Sequence, residues 1–462
     1  MRRLLFLFIS TLTILSTQAT DKHSTKYPVG KRAVYRIYLT DKEGTPYSLD
    51  RPEKYLSHRA IMRRQRQHLE VDSTDLPVNP TYVKAIASKN IQVLGCSKWN
   101  NTVVIMSEKE KEVERLKILP FVGRILEVWE EPKIDDITAK RDSLRPMNLN
   151  NKEDNYYGKA EVQTKMLNGH RLHEMGFKGK GMMIAVLDGG FMNADTIMAL
   201  KGINVIGTRD FVRDRKANIY EQLDHGTKVL SLMGTCIPHV FVGAAPEASY
   251  WLLRSEDGPT ESPAEEDYWA MAVEFADSVG CDAINSSLGY HEYDKKESGY
   301  RYRDLTGRYS LISRTASMLA GKGIVHVNSG GNSGMGSWKK IGVPADATDI
   351  LAVGAINDKR INAPYSSVGP TADGRVKPDV VALGNPWLVG GRGTMTISSG
   401  TSFAAPQVCG WVACLWQALP DKTAKEILDL VRMSGDNTEY PDNIYGYGLP
   451  DFYKAYQRGK DD

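Results

Sequence analysis

The chain has 462 residues, of which 41% are hydrophobic and 25% charged, an ordinary composition for a globular protein with one large core and a smaller domain. These values exclude disordered and fibrous chains. The formal net charge is +3 and includes two arginines near the N-terminus, so the rest of the chain is close to neutral. A nucleic-acid partner is therefore not indicated.

The N-terminal segment has the pattern of a signal peptide. Two arginines precede an apolar stretch that runs to Leu15, and small or polar residues follow up to Ala19. The stretch is too short to cross a bilayer, and no later run reaches the ~20 apolar residues that a membrane helix needs. We predict a signal peptide at residues 1–19 and a protein exported to the periplasm or the cell exterior, without a membrane span.

Residues 20–131 form a block with its own alternation of elements. Asp50 and Glu53 match a capping box, which predicts that the first helix starts there. The predicted strands and helices are, in chain order, strand 33–40, helix 53–67, strands 91–95 and 102–106, helix 108–118 and strand 122–130. The order β, α, β, β, α, β is that of a small α+β open-faced sandwich.

Residues 132–157 are charged, rich in asparagine and poor in aromatic residues, which is typical of a solvated, protease-accessible linker. A cut in this linker would separate two domains. The alternative is a plain linker in a protein that stays whole.

The pattern changes in residues 158–462, where apolar runs alternate with helical stretches. Strands are predicted at 182–188, 249–255, 282–287, 324–329 and 349–355, with helices at 225–234, 263–279 and 309–321 between them. This alternation predicts an α/β domain in which a parallel sheet is sandwiched by helices. Ligands of such sheets bind at the carboxyl ends of the strands.

Three polar residues stand where these elements begin or end. Asp188 ends the first apolar strand in AVLDGG, and His225 opens a helix in HGTKV. Ser402 begins an uncharged helix in GTSFAAP, where free backbone N–H groups favour a developing negative charge. Taken singly, each also fits a turn, a packed histidine or a helix cap.

Together, in the order Asp, His, Ser, these motifs resemble the signature motifs of the subtilisin-like (S8) serine peptidases. The stretch NSGGNSG is similar to the oxyanion-hole motif of that family, which implies that role for the side-chain amide of Asn332. The chain departs from the family at Gly189, where Ser or Thr is common, and at Phe403, where Met is common. Neither change removes a catalytic atom.

The resemblance implies a secreted serine endopeptidase made as a zymogen, with residues 20–131 as its inhibitory propeptide. It assigns catalysis to Asp188, His225 and Ser402 through an acyl-enzyme intermediate. The implied partners are protein or peptide substrates and the chain's own propeptide. The resemblance also implies two groups of substrate-binding residues. An edge that pairs with an extended peptide is formed by Ser287, Leu288 and Gly289, and the pocket beside it is lined by Ser329, Gly330 and Gly331.

No cofactor is required for this chemistry, and the metal content is left open. Calcium is common in the resembled family, but Asp195 is the only candidate ligand, and a surface carboxylate is the simpler interpretation. His170 and His173 are interpreted as packing or surface residues, since no metal-ligand spacing includes them. The five scattered cysteines are expected to be mostly buried free thiols.

Two other functions fit part of the pattern. The first is a catalytically inactive peptide-binding protein on the same scaffold. The second is a lipase or esterase, which needs a GxSxG elbow and the order Ser, Asp, His, and neither is present in these motifs. Few residues follow Gln457, so no appended docking domain is expected. Cleavage preference, processing site and oligomeric state are not indicated.

Overall fold

The structure is a computed structural model that describes residues 29–88, 90–132, 141–145, 147–213 and 217–461. Within these residues, a four-stranded sheet near the N-terminus is followed by a seven-stranded sheet. The predicted signal peptide lies outside the described residues. No helix in the described part of the chain is long and apolar enough to cross a membrane.

The N-terminal unit is an antiparallel sheet with helices on one face. Its elements are β1 Val29–Leu39, α1 His58–Arg66, α2 Pro80–Ile86, β2 Gln92–Ser97, β3 Thr102–Ser107, α3 Glu110–Arg115 and β4 Val122–Pro132. The strand order is β2-β3-β1-β4, with every neighbouring pair antiparallel. The predicted open-faced sandwich is thus observed, with one additional helix.

The helices of this unit correct two details of the prediction. The proposed capping box at Asp50 and Glu53 is wrong, because α1 begins after Ser57, whose Oγ accepts the backbone N–H of Ala60 at 3.1 Å. Helix α2 was missed because it has only seven residues and no extended amphipathic pattern. Its start was visible as Asn-Pro, since the Asn79 side chain caps it and proline is its first residue.

Both faces of the four-stranded sheet are covered. Along β1, Tyr35 and Ile37 pack into the unit's own core, whereas Val34 and Arg36 face the C-terminal unit. This follows from the two-residue period of a strand, which sends alternate side chains to opposite faces. The outward face therefore docks on another part of the protein instead of contacting water.

The C-terminal unit is built on a parallel sheet. Its strands are β5 Met183–Asp188, β6 Asn204–Asp210, β9 Ser249–Arg254, β10 Ala283–Ser286, β11 Val325–Ser329, β12 Leu351–Ile356 and β13 Val380–Leu383, with two hairpins, β7 Cys236–Ile237 with β8 Phe241–Val242 and β14 Trp387–Val389 with β15 Met395–Ile397. The sheet order is β13-β12-β11-β10-β5-β9-β6, and every neighbouring pair is parallel.

Helices cover both faces of this sheet, as predicted. They are α4 Glu161–Met166, α5 His170–Glu174, α6 His225–Gly234, α7 Ala264–Val279, α8 Leu311–Met318, α9 Thr401–Ala418, α10 Ala424–Ser434 and α11 Phe452–Asp461. Helix α9 is buried from Thr401 to Trp416 and packs beneath the central strands together with α6. On the opposite face, α7 lies between the parallel sheet and the N-terminal unit.

The interface between the two units combines an apolar cluster with buried carboxylates of α7. Asp267 accepts two hydrogen bonds of 2.7 Å from the buried Arg36 guanidinium. Glu274 accepts the backbone N–H groups of Lys98 and Trp99 at 2.7 and 3.1 Å. These buried acids are compensated only because the N-terminal unit supplies donors to them.

The linker prediction needs a correction where the chain is described. The backbone N–H of Arg145 donates to Arg392 at 2.8 Å, and that of Glu153 donates to His239 at 2.7 Å. Tyr157 is buried in the core of the C-terminal unit. These parts of 132–157 are therefore docked on the C-terminal unit. The domain boundaries themselves stay predictions.

Candidate active site

Asp188 and His225 are brought together at the carboxyl edge of the parallel sheet. Asp188 ends β5 and is 1% exposed, and one of its oxygens accepts the Gly189 backbone N–H at 2.8 Å. The other oxygen lies 2.8 Å from His225 Nδ1. A hydrogen bond of 3.0 Å from the Gly226 backbone to Gly190 fixes the start of α6 against the turn after β5.

The charge of Asp188 controls the ionisation of His225. Burial by itself lowers the pKa of the imidazole, but the adjacent Asp188 carboxylate, by its charge and its hydrogen bond, more than offsets this effect. The pKa of His225 therefore lies above its usual value of 6.5. The same hydrogen bond holds the Nδ1 proton towards Asp188, so that Nε2 is the free basic nitrogen of the neutral ring.

Ser402 lies in the first turn of α9, close to this pair. Its Oγ donates to the Ser287 carbonyl at 3.2 Å, and Ser287 Oγ donates back to the Ser402 carbonyl at 2.9 Å. The Phe403 ring packs against the His225 ring, with 5.4 Å between centroids. In this conformation the Ser402 hydroxyl is bonded to Ser287 instead of His225. Catalytic hydrogen bonds are commonly loose before substrate binds.

The amide of Asn332 is oriented by Thr401. Asn332 Oδ1 accepts the Thr401 backbone N–H at 2.9 Å and the Thr401 hydroxyl at 3.0 Å. Because these contacts require an acceptor, the oxygen must face Thr401. Nδ2 is then left beside the start of α9 as a donor that no residue in the described ranges engages. The sequence prediction missed the role of Thr401, although it lies in the GTSFAAP motif.

The predicted substrate edge is mostly buried. Ser287 and Leu288 are covered, whereas Gly289 is exposed. Neither backbone group of Gly289 has a hydrogen-bond partner among the described residues. The next residue, Tyr290, is paired in both directions with the Val343 backbone, at 2.8 and 2.9 Å. In the described part of the chain, the backbone N–H and carbonyl of Gly289 are therefore unpaired, next to a residue that the pairing with Val343 fixes in place.

The three predicted pocket residues lie behind this edge. Ser329 is buried at the end of β11, and its hydroxyl is 3.5 Å from the Leu288 carbonyl. The backbone N–H of Gly330 donates to Val353 at 2.8 Å, and that of Gly331 donates to the Thr401 hydroxyl at 3.1 Å. They connect the Gly289 edge to the segment that carries Asn332.

The described residues do not form a calcium site of acidic side chains. Both oxygens of Asp195 are bonded to the Arg141 guanidinium, at 3.1 and 3.0 Å. Elsewhere in the described ranges, no group of three or more His, Cys, Asp or Glu residues could hold a metal ion. The two oxygens of Asp195 are therefore occupied by an arginine side chain of the same protein, and this arrangement does not fit a calcium site.

The remaining predicted packing residues are found in structural positions. His173 is buried between the Tyr157 hydroxyl, 3.1 Å from Nδ1, and the Ala244 carbonyl, 3.0 Å from Nε2. His170 is half-buried. Among the cysteines, Cys281, Cys409 and Cys414 are buried thiols, Cys236 is exposed and Cys96 is half-buried.

Comparisons with known proteins identify the family of the chain. The family model described as the subtilase family of peptidase S8 matches residues 179–448, and the model of the peptidase S8 propeptide domain of Bacteroidota matches residues 34–143. Among curated proteins, the chain is 28% identical over 299 residues to subtilisin DY of Bacillus licheniformis, which covers 63% of this chain and 97% of that protein. Subtilisin E of Bacillus subtilis (strain 168) is 28% identical over 289 residues, covering 62% and 68%. Serine protease AprX of the same strain is 28% identical over 304 residues, covering 58% and 65%.

Proposed function

Because the chain belongs to the subtilase family of serine peptidases and carries the propeptide domain of that family, we propose that it is an exported zymogen whose catalytic groups are Asp188, His225 and Ser402. The observation that carries this proposal is the 2.8 Å contact between Asp188 and His225 Nδ1, next to a serine at the start of a buried helix. The substrates are proteins or peptides.

In the proposed mechanism, Asp188 holds the Nδ1 proton of His225, and Nε2 takes the proton of the Ser402 hydroxyl. The freed oxygen attacks the scissile carbonyl and forms the Oγ–C bond of a tetrahedral intermediate. His225 then gives its proton to the leaving amine, and an acyl-enzyme remains. Water attacks this ester by the same route, with His225 again as the base.

Asn332 is proposed to stabilise the oxyanion of both intermediates. Its Nδ2 is a donor with no hydrogen-bond partner among the described residues, since Thr401 bonds to the amide oxygen, and the Ser402 backbone N–H supplies a second donor. Both donors are fixed before the reaction starts, so they need no reorganisation when the charge develops.

Replacing Asn332 by alanine is expected to lower kcat by about 10² to 10³ with little change in KM, the loss that follows removal of one oxyanion donor in a subtilisin. The measurement is steady-state cleavage of one fluorogenic peptide by the wild type and the variant. Ser333→Ala, a neighbouring change away from the amide, serves as the control. A variant that changes KM alone would assign Asn332 to substrate binding instead.

The open backbone of Gly289 is proposed to pair with an extended substrate segment. Peptides that add to a sheet edge bind by main-chain hydrogen bonds, which every sequence offers. This mode of binding allows many substrates, with preference arising from the side-chain sites around the edge.

The N-terminal unit, which is docked on α7 of the C-terminal unit, is proposed to act as the inhibitory propeptide until it is cut away.

The proposed function predicts casein hydrolysis by the mature protein with a rate that falls in acid. The base must be neutral, and Asp188 raises the pKa of His225 above 6.5, so kcat/KM should decline already as the pH falls towards 6.5. A pH profile of peptide cleavage measures this fall of kcat/KM in acid. Unchanged kcat/KM well below the usual histidine pKa would exclude His225 as the base.

Binding of peptides without cleavage would favour the alternative function, a catalytically inactive peptide-binding protein on the same scaffold.

A further inference from the structure

A short piece of the linker is held on the C-terminal unit through its arginine. The Arg141 guanidinium donates to Asp195 with two parallel contacts, Nη1 to Oδ1 at 3.1 Å and Nη2 to Oδ2 at 3.0 Å. Its Nε is 3.5 Å from Glu221 Oε1. This fork geometry matches arginine and not lysine, since an ammonium group cannot make both parallel contacts.

The main chain of the same segment is also bound. Asn193, which is 2% exposed, donates its Nδ2 to the Asp142 carbonyl at 2.9 Å and to the Gly391 carbonyl at 2.8 Å. The Arg145 backbone N–H donates to the Arg392 carbonyl at 2.8 Å. These two contacts use peptide groups that any sequence provides. The contacts that select a side chain of the linker are the Arg141–Asp195 pair and the contact of Asp142 Oδ2 with Arg392 Nε at 3.0 Å.

The position of this surface relative to His225 follows from backbone pairing. The loop after Asp188 is hydrogen-bonded to the segment before His225 at three points, Phe191 to Ile219, Met192 to Leu223 and Asn193 to Tyr220, at 2.8 to 3.1 Å. The Gly391 backbone N–H donates to Asp224, the residue before His225, at 3.3 Å. Asp195 and Glu221 therefore belong to the loops that carry the Asp188–His225 pair.

The position of Asp195 and Glu221 near His225 determines which part of a substrate can contact them, the residues before or those after the cleaved bond. In the proposed mechanism His225 gives a proton to the leaving amine, so residues that follow the cleaved bond lie on the His225 side of Ser402. Gly289, by contrast, follows Ser287, whose hydroxyl bonds to the Ser402 backbone, and it offers the edge for the residues that precede the bond.

We propose that Asp195 and Glu221, supported by Asn193 and Arg392, form a recognition site for an arginine located after the cleaved bond of a substrate. In the precursor Arg141 occupies this site. The inference rests on the proposed function and narrows its substrate class, because a protease that processes its own linker meets that linker as its first substrate.

The test uses the mature wild-type protein and a fluorogenic peptide in which arginine replaces alanine, one at a time, at the first four positions after the cleaved bond. One position is expected to raise kcat/KM about fivefold over the all-alanine peptide, an effect typical of an exposed bidentate pair. Lysine at that position should give less. Asp195→Asn should bring the arginine-to-alanine ratio near one, whereas Asp358→Asn, an exposed carboxylate elsewhere, should preserve it.

Arg141→Ala completes the test, because Arg141 competes for the site if it remains on the mature chain. This variant is expected to show an arginine-to-alanine ratio equal to or above that of the wild type. Equal cutting of arginine and alanine peptides by both proteins, or a ratio that survives Asp195→Asn, overturns the arginine site. If no peptide is cut at all, it is the proposed function that fails.

Discussion

Replacing Ser402 by alanine is expected to abolish casein hydrolysis, with a loss in kcat of about 10⁶, the size found when the nucleophile of a subtilisin is removed. The change deletes the attacking oxygen and one contact to the Ser287 carbonyl, 3.2 Å away. The first turn of α9 keeps its packing, so the fold should be retained.

The same variant should accumulate as an uncut precursor if the protein processes its own linker. Casein assays measure the first effect, and the mass and N-terminal sequence of the purified chain measure the second. Ser337→Ala, in an exposed loop, is the matched control and should behave as the wild type. Undiminished casein cleavage by Ser402→Ala would contradict the enzymatic role, and a Ser402→Ala chain that still cuts itself would contradict self-processing.

Replacing Asp277 by alanine is expected to destabilise the precursor by about 4 kcal/mol, because it removes the ion-pair partner of the buried Arg63 and Lys98 and leaves Arg64 with Asp75 alone. The Asp277 carboxylate is fully buried and contacts Arg63 at 2.6 Å, Arg64 at 2.9 Å and Lys98 at 3.1 Å. All three cations belong to the N-terminal unit, whereas Asp277 belongs to α7.

Asp277 also makes precursor stability depend on pH. Burial raises the pKa of its carboxyl, but Lys98, Arg64 and Arg63 together lower it well below the usual 3.8. An acid with a lowered pKa in the folded state contributes stability above its unfolded pKa and loses it as the pH falls through the folded value. The contribution is therefore complete at neutral pH and declines below about pH 4.

Urea unfolding of the precursor measures the effect of Asp277→Ala, in the Ser402→Ala background so that the chain stays whole. Asp358→Ala, on the same unit and exposed, is the control and should cost little. A loss below about 1 kcal/mol for Asp277→Ala would show that the three arginine and lysine side chains reach other partners or water.

Much of the C-terminal fold could be predicted because its central strands are continuous apolar runs between helices. The strands that were missed lack this signal. Strand β6, Asn204–Asp210, lies at the sheet edge with alternating exposure and several polar residues, and β13, Val380–Leu383, has only four residues after a proline. Edge position and short length weaken the periodicity on which such predictions depend.

The residues of the candidate site were named from the sequence and stay predictions, but the orientation of their side chains could not be named. The resemblance of four motifs to those of a known family implies Asp188, His225, Asn332 and Ser402, whereas the Thr401 contact that turns the Asn332 amide joins residues far apart in the chain. Contacts at such separation depend on the folded geometry and leave no local pattern.

The docking of the N-terminal unit was hidden for a related reason. The sequence of α7 carries carboxylates at Asp267, Glu274 and Asp277, which usually indicate a solvated helix face. They are buried because another unit supplies Arg36, Arg63, Arg64 and Lys98 to them. Ion pairs between segments that are distant in the chain cannot be predicted from either segment alone, because they depend on how the two segments pack in the folded protein.

Labelling with a fluorophosphonate tests most directly whether Ser402 is a nucleophile activated by His225. One label per mature chain is expected, located by peptide mass spectrometry on the peptide that contains Ser402. It should be absent from Ser402→Ala and strongly slowed in His225→Ala, since the neutral imidazole is the base that activates the hydroxyl. A label on a different serine, or a folded mature protein that takes up none, would contradict the assignment.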